Sequence, residues 1–358
     1  MELNMSDIMN LFNKLIFTAR EAGASDIHIS AGQPVMLRVC GELIKPAIPA
    51  LDESAEDILL NILSDKQKNA FDGGCDLDFA LQTADGSRLR VNIFRQQGRI
   101  SGCIRLFESY IPDIKALALP SVLETLSDQQ RGLILITGPT GCGKSTTLAA
   151  MIDRINNCRS SHIITIEDPV EYIYRPKLSL IHQREIGHDT AGFSSAIRSA
   201  LREDVDIILV GEMRDYETIS AVLTAAETGH LVMSTLHTFS APLTINRIID
   251  ACPSHAQNQI RTQLAGVLKG CVAQCLIPAV GGGRIAGTEV LTVTDAVSNM
   301  IRDNKIHQIP SVMQSGAKDG MHTLNTDLLR LLKAGRITRE NALKYTNNRK
   351  ELEELLLS

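Results

Sequence analysis

Lys144 and Ser145 close an eight-residue run, Gly138-Pro-Thr-Gly-Cys-Gly-Lys-Ser145, that carries three glycines. Glycines at this spacing let backbone N–H groups converge on a phosphate chain, and a helix that starts at the lysine points its positive dipole end at the same charge. In such a loop the lysine reaches the β- and γ-phosphates as a point charge, and the serine hydroxyl is a ligand for Mg²⁺. The chemistry named is nucleoside triphosphate binding, with ATP and Mg²⁺ as the expected ligands. Gly138, Pro139, Thr140, Gly141, Cys142, Gly143, Lys144, Ser145 and Thr146 are the expected contacts.

Three further sets of reactive side chains stand where apolar runs end. Ile163-Ile-Thr-Ile166 runs into Glu167-Asp168-Pro-Val-Glu171, three carboxylates in five residues, suited to orienting water or a metal ion. A solvated acidic turn is the plain alternative. Ile207-Ile-Leu-Val210 ends at Gly211-Glu212, and a carboxylate just past such a strand is where a nucleoside triphosphatase keeps its general base. Gly211 stands where an Asp is commoner, so metal contact is assigned to Ser145 and, through water, to Glu212. His230 and His237 bracket Leu231-Val-Met-Ser-Thr-Leu236, where an imidazole at a strand end could sense the γ-phosphate or serve only as a structural residue.

These groups need a scaffold that brings strand ends together. From about residue 121, short continuous apolar runs alternate with helical patterns: strand 133–136, helix 144–156, strand 163–166, helix 192–202, strand 207–210, helix 215–228, strand 231–236. That rhythm predicts a parallel sheet with crossover helices, whose ligands bind at the carboxyl ends of its strands. After Leu236 the pattern is mostly helical, with a strand pair around Gly281-Gly-Gly283. Residues 1–112 read instead as a small α+β domain. Its first helix is capped at Ser6 and ends at Gly23, strands follow at 26–30 and 35–39 with a turn at Gly41-Glu42, and a helical stretch runs from Glu53 to Phe71. Further strands are placed at 77–81, 89–94 and 101–107, with a hairpin at Asp85-Gly86. Two prolines between Tyr110 and Pro120 place a linker at 113–120, before a nucleotide-binding domain over 121–358.

The 358 residues carry a net charge of −5 and 44% hydrophobic residues, an ordinary balance that gives no whole-chain attraction to nucleic acid. The amino terminus lacks the basic-then-apolar layout of a signal peptide, and no apolar run is long enough to span a bilayer, so a cytoplasmic location is expected. The eight cysteines are scattered without a C-x-x-C pair. The nearest two, Cys271 and Cys275, are placed on a helix as buried small residues, and no zinc is expected.

The assembled motifs resemble the secretion and type IV pilus ATPases, and within them the PilT-type retraction motors. The matching stretches are Ala24-Ser-Asp-Ile-His-Ile29, the phosphate loop through Leu148, Ile164-Thr-Ile-Glu-Asp-Pro-Val-Glu171 and Gln183-Arg-Glu185. Ala200-Leu-Arg-Glu-Asp204, Val210-Gly-Glu-Met-Arg-Asp215, Thr224-Ala-Ala-Glu-Thr-Gly-His230 and Ser234-Thr-Leu-His-Thr238 follow in family order. The resemblance implies a PAS-like amino-terminal domain joined to a RecA-like ATPase domain, assembled as a homohexamer. It further implies Glu171 as part of an acidic box, Glu212 as catalytic glutamate, His230 and His237 as the histidine-box positions, and Arg90, Arg99 and Arg105 as nucleotide-facing arginines. The implied partners are an inner-membrane pilus platform protein and, indirectly, the pilin machinery, with the chain peripheral to that membrane. Ala296-Val-Ser-Asn-Met-Ile-Arg-Asp303 looks like the helix typical of retraction motors, and the long amino-terminal extension and four-cysteine insert usual in assembly and secretion ATPases have no counterpart here. The chain departs from the usual pattern at Cys142, at Val205 and in the tail after Asn348.

Rival classes are separable. A DNA-transport motor of RecA type calls for basic or aromatic strand-binding loops, whereas this chain has no tryptophan and is acidic. A non-hydrolysing scaffold does not need Glu212 with Glu171, and a GTPase calls for an N-K-x-D segment that is not present.

Overall fold

The computed structural model describes residues 5–46, 55–83, 86–108 and 110–357. The chain falls into two compact units, one of Met1–Tyr110 with Pro169–Ile173 and one of Ile111–Asp168 with Tyr174–Ser358.

In the first unit, helix α1 (Met5–Glu21) repeats apolar residues every three or four positions, so Ile8, Phe12, Leu15, Ile16 and Ala19 share one buried face. The helix already includes Ser6, so its start, expected at a Ser6 cap, falls outside the described residues. Strands β1 (Ala24–Ser30), β2 (Met36–Val39), β3 (Glu42–Ile44), β4 (Leu77–Gln82), β5 (Arg88–Gln96) and β6 (Arg99–Leu106) form an antiparallel sheet in the order β3-β2-β1-β6-β5-β4. Alternation along β5 sends Leu89, Val91 and Ile93 into the core beneath α1 and α2 (Ala55–Asn61). The helical stretch expected near Glu53 to Phe71 comprises two helices, α2 and α3 (Asp65–Asp72). Ser64 interrupts it by capping α3 in a reciprocal box with Gln67. The Glu53 start and the Asp85 half of the hairpin signal lie outside the described residues.

The second unit is built on a seven-stranded sheet: β7 (Gly132–Thr137), β8 (His162–Glu167), β9 (Leu180–Glu185), β10 (Ile207–Val210), β11 (Leu231–Leu236), β12 (Leu268–Pro278) and β13 (Arg284–Thr292), in the order β13-β12-β7-β11-β10-β8-β9. Every pairing is parallel except that of β12 with β13. All residues of β7, β10 and β11 are buried, as expected of parallel strands covered on both faces. A short helix, α4 (Val122–Ser127), precedes β7, and crossover helices α5 (Lys144–Cys158), α6 (Phe193–Ala200) and α7 (Tyr216–Glu227) connect the parallel strands. Register pairs Thr137 with Leu236, Ser234 with Val210 and Val210 with Ile166, so β7, β11, β10 and β8 end along one edge.

Cys271 and Cys275 lie on β12 rather than on a helix. At a rise of about 3.3 Å per residue, four positions separate them by about 13 Å along the strand, too far for a shared metal ion. Strand β9, which carries Gln183 and Glu185, was not anticipated. Helices α8 (Ala241–Asp250) and α9 (Gln257–Val267) lie between β11 and β12, and α10 (Asp295–Arg302), α11 (Ile309–Ser315), α12 (Leu324–Lys333), α13 (Arg339–Tyr345) and α14 (Arg349–Leu357) follow β13. The last three pack on Ile277 and Ile285 through Leu328, Leu331, Ala342 and Leu352.

Candidate nucleotide site

The run 138–145 leaves the end of β7 and enters α5 at Lys144, with Gly143 at the helix cap. Gly138 has φ +140°, and a Cβ there would lie 2.2 Å from the backbone oxygen of Gln274 and 2.6 Å from Cys142 Sγ, so only glycine fits. Thr140 and Gly141 at the apex are exposed, whereas Lys144 is buried at its base. Lys144 Nζ donates to Gly138 O at 2.9 Å and Pro139 O at 3.0 Å, so the ammonium is held under the loop whose N–H groups would meet phosphate. Ser145 and Thr146 follow in the first turn, half-buried.

Glu212 is fixed from both sides. Gly211 donates its N–H to Ile166 O at 2.8 Å and accepts from Thr235 Oγ1 at 2.5 Å, while Met213 N–H bonds Thr235 O at 3.2 Å. The segment is thereby pinned between β8 and β11, and the Glu212 side chain, 16% exposed, meets Arg214 Nε at 2.7 Å and His237 Nε2 at 3.5 Å. The other ring nitrogen of His237, Nδ1, lies 3.4 Å from Lys144 Nζ. An ammonium can only donate, so Nδ1 is the acceptor and the neutral ring turns its Nε2–H toward Glu212. Lys144, His237, Glu212 and Arg214 thus form one polar chain across the carboxyl ends of β7, β11 and β10. A carboxylate held there can take a proton from water, and the cation beneath the loop can hold phosphate.

Buried polar groups behind the loop brace it. The Thr244 hydroxyl lies 2.6 Å from that of Thr238, just past His237, and 3.4 Å from that of Thr137, just before the loop. Glu289 on β13 accepts the N–H of Ala241 at 2.8 Å, holding the start of α8, and burial pushes its carboxyl pKa up. Burial likewise raises the Cys142 thiol. Gln274 on β12 bonds Cys142 and Thr147. Sequence reasoning missed Gln274 and Glu289; their signal is a polar residue inside an apolar strand run.

His230 stands at the opposite end of β11, with Nδ1 2.9 Å from Ala225 O and 3.2 Å from Thr228 Oγ1. Seven positions at about 3.3 Å each put it roughly 23 Å from His237, so the two histidines do not join one cluster within a chain. Glu171 belongs to the segment Pro169–Ile173 of the first unit. In that unit Arg90 pairs with Asp78 at 2.6 Å, Arg99 with Glu56 at 3.1 Å and Arg105 with Asp26 at 2.9 Å.

The model of the family described as "Type II/IV secretion system protein" matches residues 2–282, more than half of the chain. The chain belongs to that family. Within it, the chain is 46% identical over 335 residues to the type IV pilus retraction ATPase PilT of Pseudomonas aeruginosa, covering 93% of this chain and 97% of that one. It is 42% identical over 315 residues to a twitching motility protein of Neisseria gonorrhoeae, covering 87% and 84%. The crystal structure of the pilus retraction motor PilT with bound ADP superposes with a TM-score of 0.87 at 44% identity, covering 95% of this chain and 98% of that one. The fold is that of the family's RecA-like ATPases with an amino-terminal domain. Among the described residues no helix is long and apolar enough to cross a membrane.

Proposed function

We propose that this chain is an ATPase motor that binds ATP at residues 138–146 and spends its hydrolysis on type IV pilus retraction. The observation that carries the reading is the Lys144–His237–Glu212 chain, a phosphate-binding cation and a carboxylate base joined through one imidazole at the strand ends. The likeness to PilT over nearly the whole of both chains supports the retraction assignment.

In this mechanism the loop N–H groups and Lys144 hold the β- and γ-phosphates, with Lys144 giving up its contacts to Gly138 O and Pro139 O as phosphate arrives. Glu212 takes the proton of the attacking water, and His237 keeps the carboxylate oriented. The donors available to a metal ion, the Ser145 hydroxyl and the Glu212 carboxylate through water, are all hard oxygens and fit Mg²⁺. Mg²⁺ supplies neutralisation of charge on the phosphate oxygens. Glu171 and the histidine His230 are assigned to the site on family resemblance. So are Arg90, Arg99 and Arg105, which must leave or share Asp78, Glu56 and Asp26 to meet phosphate.

The reading extends to a homohexamer on the cytoplasmic face of the inner membrane, engaging a pilus platform protein. In a strain lacking its own copy, the wild-type chain is expected to restore twitching motility. Lys144→Ala, expressed to the same level, is expected to leave cells piliated and non-motile. Full motility with Lys144→Ala would rule out ATP-driven retraction by this chain.

A further inference from the structure

Gln274 sits in the middle of β12, in the run Cys271-Val-Ala-Gln-Cys-Leu276, and is 4% exposed. An amide in such a place is costly unless both its ends are bonded. Here they are, and both bonds go to the phosphate loop and its helix. Nε2 donates to the backbone oxygen of Cys142 at 2.7 Å, and Oε1 accepts from Thr147 Oγ1 at 3.0 Å. The orientation of the amide follows from the partners, because the Cys142 carbonyl can only accept and therefore faces the NH₂ group.

The backbone of the same residue shapes the loop a second time. Its carbonyl oxygen closes the space where a side chain at Gly138 would stand, 2.2 Å from that Cβ position, and its Nε2 lies 3.3 Å from the Cβ position at Gly143. One residue of a neighbouring strand therefore abuts the loop at Gly138, Cys142 and Gly143 and grips the first turn of α5 at Thr147. The carbonyl of Cys142 needs a donor for a structural reason. A loop that aims its N–H groups at phosphate turns its carbonyls backward, into the protein, where a donor must meet them.

We infer that Gln274 is a positioning residue for nucleotide binding: it holds the Cys142 carbonyl turned away from the site, so that the loop's N–H groups face phosphate before nucleotide arrives. The inference rests on residues 138–146 being the nucleotide site. Preorganisation of this kind acts on binding, since a loop without its brace must be ordered by the ligand. It does not touch the water-activating carboxylate.

The test uses the full-length chain. Gln274→Met keeps length and shape but neither bond, Gln274→Glu keeps the acceptor for Thr147 but turns an oxygen toward Cys142 O, and Thr147→Val removes the second bond alone. ADP affinity, KM and kcat for MgATP, and melting temperature without nucleotide are measured for each. Gln274→Met and Gln274→Glu are expected to weaken ADP binding and raise KM by 10-fold or more with kcat changed less than about 3-fold. Thr147→Val is expected to give a smaller change in the same direction, and Thr147→Ser to behave as wild type. Wild-type ADP affinity and KM in Gln274→Met, whatever its melting temperature, overturn the inference, as does a failure of Thr147→Val to shift KM should the Gln274 variants not fold. Lys144→Ala run alongside separates the two levels. If it binds ADP normally, the nucleotide site itself is wrong; if it loses ADP while Gln274→Met retains it, only the role of Gln274 falls.

Discussion

His237 Nε2 lies 3.5 Å from Glu212 Oε2, while the opposite edge of the same ring faces Lys144. The imidazole thus touches both Lys144 and Glu212, the cation and the carboxylate that the proposed mechanism uses. In the proposed mechanism, nucleotide arriving at Lys144 would draw the ammonium toward phosphate and so change what His237 accepts, and through the ring what Glu212 feels.

Removing the ring should therefore disturb chemistry more than binding. His237→Ala is expected to hold ADP within a few-fold of wild type and to lose hydrolysis by about 10²-fold, the lower end of what general-base assistance supplies, because Glu212 remains but is no longer held. Steady-state turnover together with ADP titration checks this. A variant that loses ADP binding yet hydrolyses normally at saturating ATP would place His237 on the binding side instead.

How far this site could be read from the sequence depended on where its partners lie. His237 follows a short apolar run directly, Glu212 stands one residue past another, and Lys144 comes at the end of the loop that leaves a third. A parallel sheet collects such strand ends at one edge, so local pattern placed them together. Gln274 and Glu289 reach partners 132 and 48 residues away in sequence, and nothing local marks them except polarity inside an apolar run. The same run misled on secondary structure. Buried on both faces, Cys271 through Gln274 shows no alternation, and a continuous apolar segment does not distinguish strand from helix. The strand β9 was missed for the opposite reason, being an edge strand with exposed Leu180 and half-buried polar residues.

The carboxy-terminal region is expected to carry a pH dependence of its own. His322 Nε2 lies 3.0 Å from Thr288 Oγ1, which itself donates to Asp327 Oδ2 at 3.0 Å, and Asp327 also pairs with Arg330 at 2.7 Å. Burial first, opposed by the Asp327 charge and joined by that of Arg330, holds the His322 pKa below 6.5. The unfolded chain then binds a proton near pH 6.5 that the folded chain refuses until lower pH, so this histidine's contribution is complete above about 6.5 and is lost as pH falls. Melting temperature should drop more between pH 7.5 and 5.5 in wild type than in His322→Gln. Equal drops in both would remove the histidine from the explanation.

Helix α10 is the surface proposed to couple hydrolysis to retraction. Thr294 caps it, Val297 and Ile301 are buried, and Arg302 on the exposed side bonds only Asn299 of its own helix at 2.8 Å among the contacts described. Charge reversal at such a position usually changes stability by less than about 0.5 kcal/mol. Arg302→Glu is expected to keep assembly and hydrolysis and to abolish retraction in cells. Normal twitching motility at normal expression would take the pilus-coupling role away from this face.

The division of labour between cation and carboxylate is most directly measured with Lys144→Ala and Glu212→Gln side by side, by ADP titration and steady-state ATP hydrolysis in the presence of Mg²⁺. Lys144→Ala should lose nucleotide. Glu212→Gln keeps the shape of the side chain and its place beside Arg214 and His237, so it should bind ADP as wild type does and hydrolyse ATP about 10²–10⁴-fold more slowly. Hydrolysis at the wild-type rate in Glu212→Gln would contradict the assignment of Glu212 as the base and, with it, the mechanism built on the Lys144–His237–Glu212 chain.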